Sequence, residues 1–139
     1  MSYFIGNLYF LTIKQVMFTY YIKKIPSLCL YNIHIYKNHN VFGNLNFQIQ
    51  QNRAILNNIE IDEQTRGYGS YFLKKFESYV QNVHNVNNIS LLAWQPYGSD
   101  NVVKFFEKHG YKEENSENNR QIYDDSIVIY DLHKMWKSV

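Results

Sequence analysis

Glu63-Gln64-Thr65-Arg66-Gly67-Tyr68-Gly69-Ser70 lies at the centre of the stretch from Ile59 to Tyr111, and its reading decides the fold. Upstream, Ala54-Ile55-Leu56-Asn57-Asn58-Ile59-Glu60-Ile61 is apolar with alternation and reads as a strand. Downstream, Tyr71, Phe72, Phe76, Tyr79 and Val80 recur at helical spacing, which predicts a helix over residues 67–84. A strand, a glycine-rich turn and a helix start together make a ready anion site. The first turn of a helix has N–H groups without intrahelical partners, and the helix dipole adds partial positive charge there. Gly67 and Gly69 remove Cβ atoms where a phosphate would approach the backbone. Glycine also serves strand-to-helix turns by geometry alone, so the turn by itself leaves both readings open. It is not a P-loop, because no Lys-Ser/Thr pair follows Gly69, and it lacks the third glycine of a dinucleotide fingerprint.

The surroundings narrow the choice. Gln64-Thr65-Arg66-Gly67-Tyr68-Gly69 resembles the Gln/Arg-x-x-Gly-x-Gly/Ala signature of the GNAT N-acetyltransferase superfamily. With Glu63 in front, the wording Glu-Gln-x-Arg-Gly-Tyr-Gly looks most like the histone-lysine acetyltransferase branch. A second match lies downstream. Ile89-Ser90-Leu91-Leu92-Ala93-Trp94 reads as a strand, and Val102-Val103-Lys104-Phe105-Phe106-Glu107-Lys108-His109-Gly110-Tyr111 is similar to the family's helix ending in Phe-Tyr-Glu-Lys-x-Gly-Phe. The resemblance covers residues 54–133, and the N-terminal third carries no motif. It implies an α/β fold of the GNAT acyl-CoA N-acyltransferase type. That fold is a mixed central sheet of six to seven strands, with splayed parallel strands and flanking helices, in one N-acetyltransferase domain over residues 1–139.

The resemblance also implies the chemistry: transfer of an acetyl group from acetyl-CoA to a primary amine, by direct attack in a ternary complex. No cysteine lies in the motifs to carry a covalent acyl group. The Gly-rich wording favours a protein lysine as acceptor, while the short N-terminal segment suits a small amine or an aminoacyl group. In the family the pantetheine lies between two splayed strands, here 54–62 and 89–94. The N–H groups of Ile59, Ile61 and their neighbours would then face it, and those of Arg66, Gly67, Tyr68, Gly69 and Ser70 would hold the pyrophosphate, beside Gln64 and Thr65. The attacking amine must lose a proton. The histone-acetyltransferase branch uses a glutamate early in the strand before the turn, where this chain has Ala54-Ile55-Leu56. Glu60 is the acid within the strand, read either as the general base or as a solvent-facing residue. Phe106 stands where many members carry a tyrosine that protonates the leaving thiolate, with Phe105 beside it, and Tyr97 is the substitute hydroxyl. Ser99 occupies the place of an asparagine that contacts the cofactor, although capping of the next helix explains it equally well. These departures motivate an alternative of a different class: a non-catalytic acyl-CoA-binding regulatory or interaction protein.

The rest of the sequence sets bounds. A chain of 139 residues, 45% hydrophobic, can bury one core. A net charge of +2 is too small to argue for nucleic-acid binding. No Cys/His spacing points to a metal, and the single Cys29, in Leu28-Cys29-Leu30, is expected to pack as a small apolar residue. The N-terminus lacks a basic region, Gly6-Asn7 interrupt its apolar stretch, and no segment approaches the roughly 20 apolar residues of a membrane span. A cytoplasmic, soluble monomer or homodimer is expected.

In chain order, residues 3–13 read as a strand broken near Gly6-Asn7, and 14–24 as a short helix or a strand. Residues 28–36 and 41–50 read as paired strands around the polar turn Lys37-Asn38-His39-Asn40, with Val41, Gly43, Leu45, Phe47 and Ile49 on one face. The strand 89–94 reads as buried on both faces. Gln95-Pro96-Tyr97-Gly98 reads as a loop, with Ser99 and Asp100 capping a helix over 100–109 that Gly110 stops. A strand starts at Tyr111–Glu114, residues 115–121 form a polar loop, and 122–132 form the last strand.

Overall fold

A computed structural model describes residues 2–10, 16–62, 67–96, 98–114, 120–123 and 129–139. The chain runs β1 (Ser2–Phe10), β2 (Val16–Ile25), β3 (Leu30–Lys37), β4 (Asn40–Gln50), β5 (Arg53–Ile61), α1 (Tyr68–His84), β6 (Asn88–Pro96), α2 (Asn101–Lys108), β7 (Lys112–Glu113), β8 (Arg120–Tyr123) and β9 (Ile129–Ser138). The strands form one sheet in the order β1-β2-β3-β4-β5-β6-β9-β7, with β8 also on β9. β5 and β6 are joined through α1 rather than a hairpin, the connection that parallel neighbours require, so the sheet is mixed. Seven of its strands have eight or more residues, in agreement with the six to seven expected, and β7 and β8 are short additions. Two compact units share this path: Met1–Gln50 with Leu56–Phe76, and Gln51–Ile55 with Glu77–Val139, so β5 and α1 each contribute to both.

The first unit is an antiparallel meander under the start of α1. Val16–Ile25 is a strand and not the alternative helix. Its Phe18, Tyr20 and Ile22 are buried at strand period, and β-branched and aromatic side chains suit a pleated surface better than a helix. The break expected near Gly6 is a register shift between Phe4 and Gly6 against β2. β3 and β4 turn through Asn38 and His39, both with positive φ (50° and 72°), which matches a tight hairpin of the primed type. The expected face of β4 is corrected at its start. The pairing jumps from Ile35↔Gly43 to Tyr36↔Val41, leaving Phe42 as an extra, bulged residue. Phe42 is therefore buried and Val41 is 74% exposed, while Leu45 and Phe47 keep the expected phase. Cys29 also departs from expectation. It follows the 3-10 turn Pro26–Leu28 in a left-handed conformation and is exposed, because the strand begins only at Leu30.

Phe72, Leu73 and Phe76 of α1 close this core. The Phe72 ring meets Phe18 edge-on at 5.0 Å, Phe76 meets Phe47 at 5.1 Å, and Phe47 stacks on Tyr31 at 5.0 Å. Each such pair contributes about 0.5–1.5 kcal/mol beyond its buried area.

In the second unit β9 is central. It pairs antiparallel with the whole of β6, from Asn88↔Ser138 to Pro96↔Tyr130, and carries β7 and β8. The expected last strand over 122–132 is two strands that pair with each other, Tyr123↔Ile129 among them, and the second runs on to Ser138. The expectation that 89–94 is buried on both faces is corrected as well. Ile89, Leu91, Ala93 and Gln95 are buried, but Trp94 is 49% exposed. The run is apolar without being two-sided, which periodicity alone cannot distinguish. Glu77 on α1 ties the unit together, accepting from the Tyr111 hydroxyl at 2.8 Å and from Lys137 Nζ at 3.0 Å. Burial beside that carboxylate pushes the Tyr111 phenol well above its ordinary value. His133 on β9 bonds through Nδ1 to Glu113 on β7.

Candidate functional site

The motif residues fall at two helix starts, one in each unit. In the first, the end of β5 is seated on the β4 bulge. A Cβ on Gly43 would lie 2.5 Å from the Glu60 carbonyl oxygen and 2.8 Å from Ile61 Cδ1, so only glycine admits β5 there. The Asp62 N–H donates to the Phe42 carbonyl at 2.9 Å. Ile61 is buried, Ile59 half-buried and Glu60 exposed, so Glu60 points away from the core as the alternation predicts. Gln64, Thr65 and Arg66 lie outside the described residues.

The chain re-enters at Gly67, whose φ of +78° only glycine adopts without strain. Its carbonyl accepts from the Tyr71 N–H at 3.1 Å, which makes Gly67 the residue on which α1 begins. A glycine has no side-chain oxygen with which to cap the N–H groups of the first turn. A Cβ placed on Gly67 meets no described atom within 4 Å, so among the described residues the side of the turn that a Cβ would occupy is open. Tyr68 packs its ring against Phe42 at 5.1 Å, and Lys37 Nζ lies 5.4 Å from the Tyr68 ring and 5.3 Å from Phe42. Lys37 was not legible as a site residue. It ends β3, far from Tyr68 in sequence, and the hairpin brings it to the helix start, where its charge adds to that of the dipole. Tyr20 on β2 has a buried hydroxyl with no hydrogen-bond partner among the described residues. Burial raises the pKa of Tyr20 and of Tyr71.

In the second unit the start of α2 is closed by the protein itself. Gln95, 3% exposed at the end of β6, accepts from the N–H groups of Val102 and Val103, both at 2.9 Å. Read as a loop residue, it is the main cap of the helix, supplied from a strand where no local spacing reveals it. Ser99 Oγ accepts from the Asn101 N–H at 3.3 Å, as its capping reading expects. Asp100 holds the cap position but makes no side-chain cap bond, and pairs with Lys104 instead at 2.7 Å. Phe106 is buried 5.6 Å from the Tyr111 ring, and Phe105 is half-buried between Phe106 and His109. Tyr97 lies outside the described residues. Among the described residues no three His, Cys, Asp or Glu side chains gather as a metal site, and no helix is long and apolar enough to cross a membrane.

No protein-family model matches this sequence, and no curated protein matches it. Solved structures do match the fold. A GNAT family acetyltransferase from Elizabethkingia anophelis with acetyl-CoA bound superposes with a TM-score of 0.64 at 15% identity, over 80% of this chain and 77% of that one. The ribosomal-protein-S18-alanine N-acetyltransferase from Escherichia coli gives 0.66 at 18% identity over 80% and 70%. The spermidine/spermine N-acetyltransferase from Vibrio cholerae gives 0.65 at 16% identity over 79% and 67%. The fold is that of the GNAT acetyltransferases. In that fold the sheet order places β5 beside β6, with α1 between them in sequence and its glycine turn at the end of β5.

Proposed function

We propose that this chain, working as a single domain, is an acetyl-CoA-dependent N-acetyltransferase acting on a primary amine in the cytoplasm, as a monomer or homodimer. The observation that carries the reading is the turn at Gly67: a positive-φ glycine, open where a Cβ would stand, starting a 17-residue helix in a GNAT-fold chain. These features fit a pyrophosphate. Gly67, Tyr68, Gly69 and Ser70 would hold it by backbone N–H groups, with Gln64, Thr65 and Arg66 before them and the Lys37 charge beside them. Acetyl-CoA, when bound, supplies the activated thioester. Ile59 and Ile61 would align it along the end of β5, while Ser99, Phe105 and Phe106 join the proposal by their match to the second motif. Glu60 would take the proton from the acceptor ammonium, and Tyr97 would return one to the departing sulfur.

For the acceptor we infer a protein lysine, on the wording of residues 63–69. The names of the structural neighbours point instead to a ribosomal-protein alanine or a polyamine, which keeps a small amine and an aminoacyl group in the test panel. One observation favours a second reading, an acyl-CoA-binding protein without turnover: Phe106 is buried and has no hydroxyl where many relatives have one. Purified protein with acetyl-CoA and a panel of histone-tail peptides, an alanyl peptide and spermidine decides between them. The first reading expects a rise in melting temperature with acetyl-CoA and turnover of at least one amine. It also expects Glu60→Gln to hold cofactor affinity while the rate falls about 10²–10⁴-fold. Stabilisation by acetyl-CoA with no turnover of any amine selects the second reading, and absence of any stabilisation rejects both.

A further inference from the structure

The bulge in β4 and the hairpin before it build a corner beside the start of α1. Phe42, the extra residue of the bulge, is buried, and its ring stands edge-on to the Tyr68 ring at 5.1 Å and 85°. Phe18, fully buried on β2, meets both rings, Phe42 at 5.4 Å and Tyr68 at 5.6 Å. Mutual edge contacts of this kind favour one arrangement of the three rings. Lys37 Nζ lies 5.3 Å from the Phe42 centroid and 5.4 Å from the Tyr68 centroid. Both distances fall within the reach of a cation–π contact, about 6 Å. One ammonium is thus placed by two rings, and Tyr68 is also the first residue of α1. A carboxylate partner would neutralise such a charge, whereas rings attract it and leave it in place. An acid stands at the same corner: the Asp62 N–H donates to the Phe42 carbonyl at 2.9 Å, and Asp62 is exposed.

We propose that Lys37, set on the Phe42–Tyr68 platform, makes the cofactor site selective for an acyl carrier that bears a pyrophosphate. The proposal rests on the acetyl-CoA reading above and adds to it the residue that discriminates between carriers. The pantetheine arm of acetyl-CoA is uncharged, so strands that run along it treat CoA and bare pantetheine alike. The phosphates carry the difference, and a positioned ammonium beside a helix start reads that charge. A lysine on a surface hairpin ordinarily loses side-chain freedom when it binds, and here two rings restrict it beforehand. Tyr68 is then a positioning residue, holding the ammonium with its ring while its N–H belongs to the turn that would take the phosphate. The Asp62 carboxylate repels the same anion, so Lys37 and the start of α1 together have to outweigh it.

Calorimetry on the full chain compares three thioesters: acetyl-CoA, acetyl-dephospho-CoA, which lacks only the 3′-phosphate, and S-acetylpantetheine, which lacks every phosphate. The parent should bind the first two more tightly than the third, and less tightly as salt rises. Lys37→Met should weaken acetyl-CoA and acetyl-dephospho-CoA by about tenfold or more, flatten the salt dependence, and leave S-acetylpantetheine as it was. Lys37→Arg should keep the affinity, because a guanidinium suits both phosphate and rings. Tyr68→Phe keeps the ring and should bind like the parent. Tyr68→Leu should weaken acetyl-CoA severalfold, yet add little in the Lys37→Met background, a coupling that a merely structural role would not give. Asp62→Asn should not weaken it. Equal binding of all three thioesters by the parent, or a loss in Lys37→Met that is confined to acetyl-CoA or shared by S-acetylpantetheine, would each overturn the proposal. If Lys37→Met does not fold, Lys37→Gln takes its place under the same criteria. A parent that binds none of the thioesters rejects the acetyl-CoA reading and this proposal with it. A parent that binds acetyl-CoA, with parent-like affinity in the lysine variant, rejects this proposal alone.

Discussion

The two helices begin in opposite chemical states. α2 starts under a buried glutamine that takes two of its first N–H groups, with a serine on a third. α1 starts on a glycine, which has no side chain with which to take any. Both helices face the same requirement, since the first N–H groups of any helix need an acceptor. One meets it from within the protein. At the other, Gly67 has no side chain to meet it, and the pyrophosphate proposed above would be the acceptor, with the Lys37 charge held on the adjacent rings. On that proposal, the contrast sets a structural helix start against a binding one.

The largest expected effect comes from opening the closed start. Gln95→Leu keeps most of the buried volume but orphans the N–H groups of Val102 and Val103. Each unsatisfied buried donor costs about 1–3 kcal/mol. The loss of the Gln95 Nε2, itself buried without a partner, offsets part of this. A net destabilisation of about 2–3 kcal/mol is expected, read as a lower urea midpoint with an unchanged slope. A midpoint shift near zero would show that Gln95 is not what holds α2.

Filling the open start should act on the ligand more than on the fold. Gly67→Val must hold a branched residue at positive φ, at a cost of about 1–2 kcal/mol. Among the described residues no neighbouring atom adds to that, because a Cβ there meets none of them within 4 Å. A bound pyrophosphate would meet that Cβ, so CoA affinity is expected to fall by about tenfold or more, equivalent to about 1.4 kcal/mol. Calorimetry with CoA on the folded variant checks this, and parent-like affinity would place the phosphates elsewhere.

How much of this was legible in the sequence follows the range of the interactions. The strand over 54–61, the positive-φ Gly67 and the helix that follows it are fixed by local period and by glycine, and they stand where the spacing puts them. The Phe42 bulge was not legible, because Val41-Phe42 offers two apolar residues and only the pairing with β3 chooses which turns inward. Gln95 and Lys37 were missed for a related reason: each acts on a helix start that it reaches through strand geometry. Glu60 is exposed, on the face that its alternation with Ile59 and Ile61 gives it, and alternation fixes a side chain's face even where it cannot fix its role.

A smaller effect tests the edge of the closed start. Ser99 was open to two readings, a cofactor contact and a cap. Its 3.3 Å bond to the Asn101 N–H is long and exposed, so Ser99→Ala is expected to lower stability by no more than about 0.5–1 kcal/mol, the low end for a lost cap. If capping is its whole role, CoA affinity stays at the parent value. A severalfold loss of CoA affinity without loss of stability would assign Ser99 to the cofactor and make the second helix start a shared one.

The smallest effect concerns acid. Asp100 pairs with Lys104, and that hydrogen bond holds its carboxyl below the ordinary value of 3.8. A depressed carboxylate contributes its stability above the unfolded value. That contribution fades as the pH falls past 3.8 and is gone below the lowered folded value. Both partners are exposed, with side chains 63% and 70% accessible, so water and salt screen the pair and its contribution is slight. Gln95, the principal cap of the same helix, is an amide and does not titrate. The start of α2 should therefore survive acid with its two main bonds intact. Asp100→Asn should match the parent in urea midpoint at pH 7 within experimental error, and any difference between them should shrink as the pH falls past 3.8 and vanish below the lowered folded value. A large gap at neutral pH would mean that the surface pair, rather than the buried amide, anchors the helix, and would reverse the order in which these two residues are ranked.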